Sequence, residues 1–163
     1  MKKVSTLLSA AVMALGVVPL AASPASAVQR CEHQEARAND TSDTVKFDFC
    51  IHADQNEVTV SVENFKCYGN FFGEYRTICT VRAGVVETLR NGSPTYDQLS
   101  PLESGYGSVG GYWKASYPGC EEGDFIKAYI DDLQIHIMHE LGHPNIWDDE
   151  SFRYPFMNSG VRC

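Results

Sequence analysis

The sequence predicts a β-rich α+β fold: one small domain of antiparallel strands, stapled by disulfides, with a single helix near the C-terminus. Three observations point there. Apolar residues alternate with a period of two over 45–51 and again over 58–62, the signature of half-buried strands. Six cysteines, Cys31, Cys50, Cys67, Cys79, Cys120 and Cys163, form an even set of the kind that pairs into disulfides in exported chains. Late in the chain a four-residue period, Leu133, Ile137 and Leu141, predicts the helix. If that stretch is extended instead, an all-β sandwich is the alternative.

Residues 1–27 read as a secretory signal peptide. Lys2 and Lys3 precede an apolar run from Leu7 to Leu20, and Ala25-Ser26-Ala27 offers a small-residue cleavage site. The folded unit is then 28–163, a secreted, extracellular domain. No other apolar run is long enough to span a bilayer. The formal charge is −8, and loss of Lys2 and Lys3 makes the chain more acidic still. Without a basic stripe, neither nucleic acid nor a membrane surface is an expected partner, and a monomer is expected. No C-x-x-C spacing suggests a thiolate metal site. The pairing of the cysteines is open; Cys120 with Cys163 would enclose the histidine-rich segment.

Gln29–Asp43 is polar and reads as an arm tied down at Cys31. From Val45, the residues Val45, Phe47, Phe49 and Ile51 face one way and Lys46, Asp48 and Cys50 the other. Asp54-Gln55-Asn56 makes a turn, and Val58, Val60, Val62 and, after one slip, Phe65 resume the alternation. This predicts a hairpin over 45–66. Thr77–Arg90 fits a strand or a helix, and its β-branched load (Thr77, Ile78, Thr80, Val81, Val85, Val86, Thr88) decides for strand. Asn91-Gly92 then turns the chain into a strand over 95–99. Ser100–Gly123 is rich in glycine and aromatics. It reads as loops around a cleft or as an edge strand near Gly111–Ser116, with aromatic packing the simpler role.

Asp131 and Gln134 have the form of a capping box. They open a helix over 132–143, with Leu133, Ile137 and Leu141 on one face and His136, His139 and His143 on another; Pro144 ends it. A strand over 125–137, with Leu133, Ile135 and Ile137 at spacing two, competes. Within this segment His139-Glu140-Leu141-Gly142-His143 is an H-E-x-x-H pattern. On a helix it aligns two imidazoles on one face toward a metal, with Glu140 beside a bound water. Asp149 follows six residues after His143 and Met157 fourteen after.

Over residues 131–160 these features resemble the metzincin zinc proteases, nearest the small secreted snapalysin type. The resemblance implies Zn2+ held by His139, His143 and Asp149, with Glu140 as the catalytic base and Phe156-Met157-Asn158-Ser159 as a methionine turn beneath the metal. Asp148 and His136 are alternative third ligands, and Tyr154 a candidate oxyanion donor. Ile146 stands where the family has glycine, and Pro144 directly follows the second histidine. The implied activity is a secreted zinc endopeptidase acting on a protein or peptide substrate through a metal-activated water. The alternative is a non-catalytic, disulfide-stapled β-sandwich that binds a protein or carbohydrate, with the HELGH sequence fortuitous. His33 and His52 read as ordinary surface residues.

Overall fold

The structure, a computed structural model, describes residues 27–39, 41, 43–69, 75–104, 110–139, 146–152 and 155–163. The strands are β1 (Val28–Arg37), β2 (Thr44–Ala53), β3 (Glu57–Gly69), β4 (Tyr75–Thr77), β5 (Cys79–Arg90), β6 (Ser93–Gln98), β7 (Glu103–Ser104), β8 (Gly111–Pro118), β9 (Phe125–His139), β10 (Ile146–Ser151) and β11 (Phe156–Arg162). All pairings are antiparallel. The first sheet runs β1-β2-β3, with β4 and β8 sharing the far side of β3. In the second, β9 and β5 are central; β10 and β11 share the outer side of β9, and β6 and β7 that of β5.

The hairpin expected over 45–66 forms as β2 and β3. Asp54 accepts the amide hydrogens of Asn56 and Glu57 at 2.7 and 2.9 Å, which closes the turn. The strands expected over 77–90 and 95–99 are β5 and β6, and of the two readings of 100–123 the edge strand near 111–116 forms as β8. The polar arm is corrected: residues 28–37 pair along their whole length with β2. An edge strand exposed on its outer face needs few apolar residues, so composition hid it.

The helix over 132–143 is also corrected. Residues 132–139 are extended and belong to β9, and the last turn of the expected helix lies outside the described residues. The apolar positions at spacing four, Leu133 and Ile137, are also at spacing two with Ile135, and all three are buried. β5 on one side and β10 on the other satisfy the backbone of this segment. Sheet pairing therefore overrides the helical reading, as a β-branched stretch favours. Among the described residues the fold is all-β, which is the alternative the sequence offered.

Both sheets pack their inner faces into one core. Burial follows alternation with one phase slip in β5 between Val81 and Gly84 and three more at residues with positive φ. Val62 and Phe65 are inward across Asn64 (φ 54), Ile130 and Leu133 across Asp132 (φ 51), and Asn158 and Val161 across Gly160 (φ 97). Each bulge lets one strand keep its apolar side inward through a kink; asparagine, aspartate and glycine tolerate the left-handed backbone it requires. A Cβ on Gly160 would lie 2.3 Å from the Ile126 carbonyl oxygen. In the core, Phe47 packs against Phe65 and edge-on to Phe156, with centroids 5.9 and 4.9 Å away.

Three disulfides staple this frame. Cys31–Cys50 joins directly opposed residues of β1 and β2, and Cys67–Cys79 links the two sheets. Cys120–Cys163 encloses the histidine segment across 43 residues, the longest loop and so the largest constraint on the unfolded chain. The sandwich also closes at its sides. Asn158 donates to the carbonyls of Arg30 and Phe49 at 3.0 and 2.8 Å. Opposite, the Tyr117 hydroxyl donates to Asp97 and accepts from Thr88, and the Trp113 indole donates to the Gln98 carbonyl at 3.0 Å.

Candidate functional site

Of the residues singled out for zinc, the structure describes Asp149 and the backbone of His139. His139 is the last residue of β9 and pairs with Ile146. Asp149 is three ladder steps away, opposite His136, an offset of roughly 10 Å along the strand. Its Oδ1 lies 2.7 Å from His136 Nδ1. Two of the candidate ligands, His136 and Asp149, are thus brought together, as a cross-strand pair on an exposed sheet surface. Glu140, His143 and Tyr154 lie outside the described residues, as do the side chains of His139 and Asp148. Among the described residues no group of three or more His, Cys, Asp or Glu is placed to hold a metal. Phe156-Met157-Asn158-Ser159, expected as a methionine turn, is instead the start of β11, and the Met157 side chain is 45% exposed.

In the pocket among Thr88, Arg90, Thr95 and Tyr117, a cavity of about 120 Å³, the polar groups of Thr88, Arg90 and Tyr117 are committed. Burial and the hydrogen bond to Asp97 push the Tyr117 phenol well above its usual range. Arg90 donates to the carbonyls of Pro118 and Gly119 and lies 3.7 Å from Asp124. These bonds close the end of the sandwich, which is a structural role.

A different surface stands out on the outer face of the second sheet. Pairing puts Tyr96 opposite Glu87, Glu87 opposite Tyr129, and Tyr129 opposite Met157. Four strands thus contribute one residue each to a straight row, about 14 Å from end to end at a strand spacing near 4.8 Å. Their neighbours along β5 and β9 are buried (Val86, Thr88, Ala128, Ile130), so alternation sends Glu87 and Tyr129 outward. Tyr96 is 63% exposed. Its hydroxyl donates to Glu87 at 3.2 Å, and the Glu87 charge is the main cause of the raised Tyr96 phenol pKa. Asp131 sits beside the row; burial, then the charges of Glu87 and Asp132, raise its carboxyl above the ordinary value. None of these three carboxylates forms a salt bridge among the described residues.

Sequence reading missed this row because it exists only through register: its members are far apart in the chain, and no local pattern joins them. Comparison with protein-family models, curated proteins and solved structures finds no match to the chain.

Proposed function

We propose that the chain is a secreted, monomeric binding module without catalytic activity, a stapled β-sandwich that docks a protein partner on the outer face of its second sheet. The row Tyr96–Glu87–Tyr129–Met157 carries this reading. Tyrosine and methionine are the side chains that protein interfaces favour: they supply large contact area, and tyrosine does so at low entropic cost. Glu87, Asp131 and Asp132 give the surface unneutralised negative charge, so the fitting partner presents lysine or arginine there. The signal-peptide features of residues 1–27 and the three disulfides support an extracellular setting.

The test uses the purified full-length secreted protein against surface-immobilised peptide panels, basic, acidic and neutral. Saturable, salt-sensitive binding of basic peptides is expected, weakened by about tenfold or more (roughly 1.4 kcal/mol) in Tyr129→Ala. Equal binding across all three panels would reject it. The zinc endopeptidase is the second reading, favoured by the His139–His143 pattern itself. It predicts stoichiometric zinc and casein hydrolysis that Glu140→Ala abolishes; that result would replace the binding module with an enzyme.

A further inference from the structure

The outer face of the first sheet carries a cleft independent of the row just described. It has a volume of about 290 Å³ and is lined by His33, Lys46, Asp48, Asn64, Lys66 and Tyr68 on β1, β2 and β3. Its floor is held rigidly. Asn64 occupies the left-handed conformation at a bulge where β3 slips against both β2 and β8. Gly110 packs so closely behind it that a Cβ there would lie 2.5 Å from the Asn64 backbone. A bulge fixed by its surroundings is a common neighbour of binding sites. Here it aims the Asn64 amide at Asp48.

Asp48 accepts from Asn64 through Oδ2 at 2.9 Å, and its Oδ1 lies 3.0 Å from His33 Nδ1. The Asn64 bond, then the His33 bond, hold the Asp48 carboxyl below its ordinary range. With Asp48 ionised, Nδ1 is the nitrogen that donates to it, which leaves His33 Nε2 to bond a ligand. Lys46 and Lys66 are directly opposed across β2 and β3, an arrangement that is unfavourable for like charges. Lys46 lies 3.4 Å from Glu35 and 4.8 Å from the Tyr68 ring centre. Lys66 makes no salt bridge among the described residues. Once the internal pairs are counted, the cleft offers one ammonium, Lys66, that acts on Asp48 only beyond salt-bridge distance, and the second imidazole nitrogen of His33.

We propose that this cleft binds a uronic acid, a sugar ring bearing one carboxylate. The carboxylate sits at Lys66, where it also relieves the repulsion from Lys46, and a ring hydroxyl donates to His33 Nε2. One charge and one adjacent hydroxyl match the two unfilled valences, and the volume suits a single sugar ring rather than a drug-sized ligand. A simple inorganic anion satisfies only the lysine, and a neutral hexose only the histidine.

Calorimetric titration of the intact protein with glucuronate, an oligogalacturonide, glucose and inorganic sulfate tests this, alongside ¹⁵N chemical-shift mapping. Saturable binding of the acidic sugar, absent with glucose and sulfate, is expected. Lys66→Gln should weaken it roughly tenfold or more with an unchanged melting temperature, since a half-buried lysine that forms no salt bridge among the described residues contributes little to stability. A tighter oligogalacturonide identifies a polymer as the source, and equal affinity the free acid; both support the site. Acidic sugar bound no better than glucose or sulfate, or shifts centred on β6 and β11 instead of β1–β3, would overturn the proposal. Because the two surfaces lie on opposite sheets, failure here leaves the protein-docking face standing.

Discussion

The two outer faces of the sandwich are built by the same alternation and filled in opposite ways. On the first sheet the polar groups lock one another: Asn64, Asp48 and His33 form a bonded chain across three strands, and Lys46 meets Glu35. On the second sheet Tyr96, Glu87, Tyr129 and Met157 stand in line with one hydrogen bond among them, Tyr96 to Glu87. The first face uses its side chains to fix its own geometry, which suits a small ligand that must meet placed atoms. The second leaves its side chains adaptable and wide, which suits a protein surface. The difference teaches that shape and commitment of side chains, more than residue type, separate the two kinds of site.

The largest test of the contrast goes beneath both faces. Phe47→Ala removes a ring packed against Phe65 and Phe156 and should cost about 3–5 kcal/mol in urea denaturation. Comparable loss of both binding activities is expected; if only one surface suffers, the faces are less coupled through the core than their shared cluster implies. Asn64→Ala comes next. It removes an exposed hydrogen bond to the Asp48 carboxylate and should cost about 0.5–1.5 kcal/mol, with weaker binding of the acidic sugar and unchanged binding of basic peptides.

A smaller effect lies in pH. Asp48 titrates below its unfolded value, near 3.9, so its stabilisation is complete above that value and is lost as pH falls through the lower folded one. Acid unfolding of Asn64→Ala should therefore depend less steeply on pH below about 4 than wild type; parallel curves would show that Asp48 is not the carboxylate in play. The smallest effect on folding belongs to the second face. Tyr96→Ser and Met157→Ser should move stability by no more than about 0.5 kcal/mol while weakening peptide binding. A large drop in melting temperature would mean that the row serves the fold.

Much of the front half was legible because one face of each strand is buried and the other is wet. Phe47 and Lys46 could be sorted by alternation alone, and even the slip before Phe65 marked a bulge. The later segment was not legible for a reason equally physical. Leu133 and Ile137 satisfy a helical period and an extended one at once, and only the partners β5 and β10 decide between them. Polar Val28–Arg37 was hidden by its place at an edge. The row on the second sheet and the cleft on the first depend on cross-strand register, which no window of sequence contains.

Asn158 carries a consequence for how the molecule comes together. Its amide reaches over to two carbonyls of the opposite sheet, so a one-residue slip of β11 would push Met157 into the oil and strand both acceptors dry. The final strand is thus proofread by strands made near the start of the domain. Contacts so distant in sequence as Asn158 to Arg30 and Phe49 are the kind that slow assembly.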